Sequence, residues 1–125
     1  MELVNLKDAS EQVTFAEAVK KGLGKNQGLF FPKQLPKFDD IESILAMPFV
    51  ERSVEILATL IGDELPREML AGIVKRAFEF GAPLAKVKDN VYALELFHGP
   101  TLAFKDFGGR FMAQCLVEIS DGQPI

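Results

Sequence analysis

Apolar residues fall at two different spacings along this chain, and the change between them divides it. From Met1 to Lys7 they alternate weakly with polar ones, which predicts a short strand. Thr14 stands three residues before Glu17, the pairing of a capping box. It predicts a helix that buries Phe15, Ala18 and Val19 and is ended by Gly22 and Gly24. Leu29, Phe30 and Phe31 form a short apolar run closed by Pro32 and read as a strand. Pro36 to Asp40 is a polar connector, in which Asp39 or Asp40 caps a short helix through Ile41, Ile44 and Leu45 that stops before Pro48. Pro48 begins the next helix, where Val50, Val54, Leu57 and Ile61 recur at helical spacing as far as Gly62. Pro66 opens a further helix, with Met69, Leu70, Ile73, Val74, Ala77 and Phe78 inside. Consecutive helices of this kind are most simply a small bundle.

The spacing changes after Gly81-Ala82-Pro83. Leu84 to Val87 and Val91 to Phe97 are rich in β-branched and aromatic residues, with Asp89-Asn90 between them, and predict two strands joined by a turn. A last helix begins at Lys105, carries Phe111, Met112, Cys115, Leu116 and Ile119, and ends at Ser120-Asp121-Gly122. A strand is expected to begin at Gln123-Pro124-Ile125, because a strand–helix–strand unit needs its second strand. On that ground the sequence reads as an N-terminal fragment of a longer protein. The expected class is mixed α/β: a small helical domain with short strands, followed by the first strands and helix of a second, incomplete domain.

Composition narrows the function classes. The 125 residues, 48% hydrophobic and 26% charged, suit one domain or part of a larger one. A net charge of −4 argues against nucleic acid or an anionic membrane as the main partner. Cys115 is the only cysteine, so no internal disulfide can form. Its place on a helical face with Phe111 and Ile119 marks it as a core residue rather than a reactive thiol. His98 is the only histidine, and no metal-ligand spacing exists. Glu2, Lys7, Asp8 and Glu11 rule out a signal peptide at the start, and no segment approaches the roughly twenty apolar residues of a membrane span. The expectation is a soluble, cytoplasmic protein.

The chemistry concentrates between Leu94 and Arg110. A lysine in the first turn of a helix meets the positive end of the helix dipole, which works against its charged form. Such amines make good nucleophiles and Schiff-base formers, so Lys105 is a candidate for covalent chemistry. Asp106 is a favourable first-turn acid, with orientation of Lys105 as the alternative. His98 and Thr101 serve either the turn backbone or a substrate. Phe104 either anchors the turn or lies beside a bound ring. Gly108 and Gly109 cost helix stability, which calls for a packing or functional reason, although no Gly-x-Gly-x-x-Gly phosphate cradle is present. Arg110 either reaches an anion or, more simply, is an exposed helix arginine.

The unbroken string Leu94-Glu-Leu-Phe-His-Gly-Pro-Thr-Leu-Ala-Phe-Lys-Asp-Phe107 resembles the lysine motif of threonine synthases, which are pyridoxal 5'-phosphate enzymes of the tryptophan-synthase-β-like fold. Thr14 to Leu23, followed by Gly28-Leu-Phe-Phe-Pro32, resembles the small N-terminal domain these enzymes place before their catalytic core. Many relatives have an Asp-Gly-Gly-Leu type sequence in the turn, where this chain has Asn26-Gln27-Gly28-Leu29. The resemblance implies that residues 1–82 form that N-terminal domain and residues 83–125 the truncated start of the pyridoxal-phosphate domain. It implies that the full enzyme converts O-phospho-L-homoserine and water to L-threonine and phosphate, by γ-elimination and β-addition, as the last step of threonine biosynthesis. Lys105 would be the catalytic lysine that carries the cofactor as a Schiff base and moves protons at the substrate's α and β carbons. Phe104 would be cofactor-binding, and His98 and Thr101 substrate-binding. The family's Gly/Thr-rich phosphate loop and its partner for the pyridine nitrogen lie outside these residues. The expected partners are therefore the substrate and the remainder of the catalytic domain, with the chain alone inactive or weak in cofactor binding. The competing reading is a non-catalytic helical module that docks a partner and leaves Lys105 unused.

Overall fold

The computed structural model describes residues 1–120. The strand expected at 123–125, and the Asp121-Gly122 end of the last helix, lie outside the described residues. The architecture is mixed α/β, as expected. Strand β1 (Glu2–Asn5) pairs antiparallel with β2 (Asp8–Thr14) on one side and with β3 (Phe30–Pro32) on the other, giving the order β2-β1-β3. Leu3 faces Val13 across one pair, and Val4 faces Phe31 across the other. Pro32 lies inside β3 rather than after it, which an edge strand tolerates.

The buried amide of Asn5 organises this sheet. Its Nδ2 donates to Glu11 Oε2 at 2.6 Å and to the Lys25 carbonyl at 3.0 Å, while its Oδ1 accepts from the Lys7 N–H at 2.8 Å. Glu11 also accepts from Lys21 Nζ at 2.6 Å and from the Lys25 N–H at 2.7 Å. The helical turn Lys25–Gln27 is thereby drawn onto the sheet, with Asn26 and Gln27 at φ of 56° and 58°. A Cβ on Gly28 would come within 2.6 Å of Asn5 Cγ, so that position has no room for a side chain.

Helix α1 (Phe15–Lys21) carries the expected capping box, with the Thr14 N–H donating to Glu17 Oε2 at 2.8 Å and Thr14 Oγ1 accepting from the Glu17 N–H at 3.2 Å. Glu64, far along the chain, adds a second cap by accepting from the Phe15 N–H at 2.9 Å. Phe15 and Val19 are half-buried against the core. Asp40, not Asp39, caps α2 (Ile41–Ala46), accepting from the Ser43 N–H at 2.9 Å. Pro48 and Pro66 stand one place before α3 (Phe49–Ile61) and α4 (Arg67–Ala77) rather than inside them. Phe78 follows α4 instead of belonging to it.

Helices α3, α4 and α5 (Lys105–Ile119) enclose the core of Val54, Ile61, Leu65, Leu70, Ile73, Val74 and Cys115. The bundle expectation is thus incomplete. Helices do pack together, but α1 also contacts β1, β2 and α5, so the small sheet joins the same unit. Between α4 and α5, β4 (Leu84–Lys88) and β5 (Val91–Leu94) form an antiparallel hairpin with Leu84 opposite Leu94 and Asn90 at φ 62° in the turn. β5 ends three residues short of the expected Phe97, after which the Glu95 N–H still reaches the Pro83 carbonyl at 2.9 Å. Leu84 is 68% exposed and Leu94 56%, so the hairpin's apolar side chains lie uncovered among the described residues.

Candidate active site

Helix α5 positions the predicted lysine. Three successive turn bonds lead into it: the Leu102 N–H donates to Gly99 O at 3.1 Å, Asp106 N–H to Ala103 O at 3.0 Å, and Phe107 N–H to Phe104 O at 3.3 Å. Phe104 is already in helical conformation and offers no side-chain cap. Lys105 is therefore the first helical residue. Its side chain is exposed and bonds to no other group among the described residues.

Its neighbour behaves differently. The Asp106 side chain is buried and turns away from the helix, accepting the Thr101 hydroxyl at Oδ1 (2.7 Å) and the Thr101 N–H at Oδ2 (2.9 Å). The Thr101 hydroxyl bond above all, with the Thr101 and Ala103 backbone, holds this carboxyl below the usual carboxylate range against the opposing effect of burial. Asp106 is the expected first-turn acid, and among the described residues its carboxylate bonds to Thr101 rather than to a helix N–H or to Lys105. Gly99 is buried beside it, and a Cβ there would stand within 2.6 Å of Asp106 Cβ. Leu102 has φ 59°, a conformation costly for any residue but glycine.

His98 is exposed, with Nε2 at 2.7 Å from Glu95 Oε2 and its ring 4.7 Å from that of Phe97. It lines a cleft with Phe49, Arg52 and residues 81–83. Neither Glu95 nor Arg52 was legible as a site residue. Glu95 has the signal of a Glu-x-x-His spacing, but Arg52 has no local signal. Arg52 donates from Nη2 to the Met47 carbonyl at 3.1 Å, and its Nε is sealed from water without a partner.

Phe104 is 70% exposed and does not anchor the turn. Phe107 does so, with its ring edge-on to those of Phe49, Phe78 and Phe80 at centroid distances of 6.2, 5.8 and 4.8 Å. Arg110 is not simply an exposed arginine. Its Nε donates to the Ala77 carbonyl at 2.9 Å and its Nη2 to Arg76 O at 3.0 Å and Glu79 Oε2 at 2.6 Å, tying α5 to the end of α4. A Cβ on Gly108 or Gly109 would meet nothing within 4 Å. These glycines, three and four residues after Lys105, leave the helix surface beneath the lysine bare. Cys115 lies in the core, where burial pushes its thiol up to about 11, and it takes no part. Among the described residues no group of His, Cys, Asp and Glu could hold a metal, and no helix is long and apolar enough to cross a membrane.

Residues 4–78 match the sequence family described as "Threonine synthase N terminus". The chain is 60% identical over its whole length to the threonine synthase of Serratia marcescens, and 59% identical to that of Escherichia coli K12, covering 30% of each. In structure it is similar to threonine synthase from Escherichia coli, with a TM-score of 0.96 over 100% of this chain and 30% of that one, at 59% identity. It is also similar to the PLP-bound threonine synthase from Brucella melitensis, with a TM-score of 0.85 at 29% identity, over 97% of this chain and 28% of that one. The chain thus spans about 30% of the length of the relatives it matches most strongly.

Proposed function

We propose, from the premise that the chain belongs to the threonine synthase family, that it is the N-terminal part of an enzyme converting O-phospho-L-homoserine and water to L-threonine and phosphate. On this reading residues 1–82 are the N-terminal domain and residues 83–125 open the cofactor-binding domain.

The residues present fit pyridoxal phosphate. Lys105 offers a primary amine committed to no protein group among the described residues, the exposed Phe104 ring stands next to it in the chain, and the bare surface at Gly108 and Gly109 leaves room on the same side of α5. Lys105 would hold the group, with Phe104 beside it; when bound, pyridoxal phosphate supplies an electron sink for carbanion chemistry. In its neutral form the Lys105 amine accepts and returns protons at the substrate's α and β carbons, a task that requires a mobile, uncommitted base. Thr101 and His98 bind polar groups of the substrate. The Thr101 hydroxyl gives its proton to Asp106, so it meets a ligand as an acceptor. His98 shares its cleft with Arg52, a setting suited to an anionic group.

The observation that carries this reading is the uncommitted Lys105 amine at the first position of α5, over a helix surface that two glycines keep open. The test is borohydride reduction of the complete polypeptide in the presence of pyridoxal phosphate, followed by peptide mapping. A pyridoxyl group on Lys105 is expected; an adduct confined to any other lysine overturns the assignment. Lys105→Ala should abolish threonine formation.

A further inference from the structure

We infer that Asp106 is a positioning residue of this site: its buried carboxylate clamps Thr101 and so holds the turn 99–102, through which the chain enters Lys105, in a conformation it would not keep alone. The inference rests on the reading of Lys105 given above and adds a residue that acts through others.

Three independent features converge on one turn. First, both oxygens of a first-turn carboxylate are spent on residue 101, on its N–H at 2.9 Å and its hydroxyl at 2.7 Å, and none on the helix. An acid present only to complement the helix dipole would face the free N–H groups or solvent; this one is 7% exposed. Second, Leu102, between Thr101 and the helix, stands at φ 59°, where a non-glycine residue persists only if its surroundings over-determine it. Third, Gly99 has no side chain where the carboxylate stands, so the turn packs directly against Asp106.

Geometry carries this into function. Asp106 adjoins Lys105 in the chain, and Arg110 and Phe107 fix the rest of the helix to α4 and its neighbours. With the helix fixed, the clamp sets where His98 and Thr101 stand relative to the amine. It also orients the Thr101 hydroxyl, leaving only lone pairs for a ligand. Small misplacements of such groups cost rate more than binding.

The test uses the complete polypeptide with pyridoxal phosphate and the variants Asp106→Ala, Thr101→Val and Thr101→Ser. Circular dichroism reports folding, borohydride trapping reports the Lys105 adduct, and steady-state kinetics separate kcat from KM. Asp106→Ala and Thr101→Val should fold and be trapped at Lys105, yet lose about tenfold or more in kcat, with KM changed less than about threefold in Asp106→Ala, which leaves the substrate-binding side chains in place. Thr101→Ser keeps the hydroxyl that Asp106 holds and should lose clearly less in kcat than Thr101→Val. A folded Asp106→Ala with kcat within about twofold of the parent overturns the clamp. So does Thr101→Ser falling as far as Thr101→Val, since the methyl packing would then be what matters. Should Asp106→Ala not fold, the Val and Ser pair decides. A parent enzyme without an adduct at Lys105 overturns the reading of the lysine and the positioning role together, whereas a normal adduct with insensitive variants overturns the clamp alone.

Discussion

Phe107→Leu isolates the aromatic anchor that holds the lysine end of α5. The ring of Phe107 meets three others edge-on, at 6.2, 5.8 and 4.8 Å. Each such pair contributes roughly 0.5–1.5 kcal/mol beyond the area it buries. Leucine keeps most of the apolar contact and loses only the ring terms. Because Phe107 is half-buried, the low end of that range applies, and three pairs sum to about 1.5 kcal/mol. With a urea dependence of about 2 kcal/mol/M for a chain of this size, the unfolding midpoint should fall by about 0.7 M. Phe111 provides an internal control. It meets one ring, Phe78 at 6.2 Å, so Phe111→Leu should lose roughly a third of that ring contribution. The assay is equilibrium urea unfolding of this chain followed by circular dichroism. A Phe107→Leu shift below about 0.2 M, or one no larger than that of Phe111→Leu, refutes the view that the ring cluster anchors α5.

Two further outcomes follow from the geometry. The Glu11 carboxyl is held at about 2 against its ordinary 4.5 by the Lys21 ammonium first, then by the Asn5 amide and the Lys25 N–H. Its contribution to stability is therefore full above pH 4.5 and is lost as pH falls from there through about 2. Glu11→Gln should lower the urea midpoint at neutral pH and flatten its decline over that acid window; an unchanged slope would sink the claim. Gly108→Ala and Gly109→Ala should each stabilise this chain by about 0.5–1 kcal/mol, since alanine suits a helix interior and nothing stands in its way. In the complete enzyme the same changes should weaken trapping of pyridoxal phosphate at Lys105, and variants that are more stable and equally well trapped would show that the open surface has no use.

The local signals in the sequence were the legible ones. The Thr14–Glu17 capping box, the Asp40 cap, the apolar stripe of α3 and the start of α5 at Lys105 each depend on residues a turn apart, and each stands where it was expected. Strand β2 escaped because Asp8-Ala-Ser-Glu-Gln-Val-Thr carries little apolar alternation. Its inward-facing Glu11 is satisfied by Asn5, Lys21 and Lys25, partners scattered along the chain. Arg110 was misjudged for the same reason, since its acceptors are the carbonyls at the end of α4. Asp106 is the first-turn acid expected, but its partner escaped, because nothing in Thr-Leu-Ala-Phe-Lys-Asp announces that the chain doubles back so that residue 101 meets residue 106. The open cleft of Arg52 and His98 joins α3 to the motif across a separation no spacing rule covers.

The turn at 26–28 places two neighbouring positions under unequal steric constraint. Gln27 and Gly28 stand side by side in it. At Gln27 the left-handed backbone, φ 58°, only burdens an exposed side chain, a cost of about 1–2 kcal/mol. At Gly28 the backbone is ordinary, φ −76°, but the Asn5 amide already fills the space. A side chain is tolerated at the first position and barred at the second, although only the first has the positive φ that usually marks a glycine site.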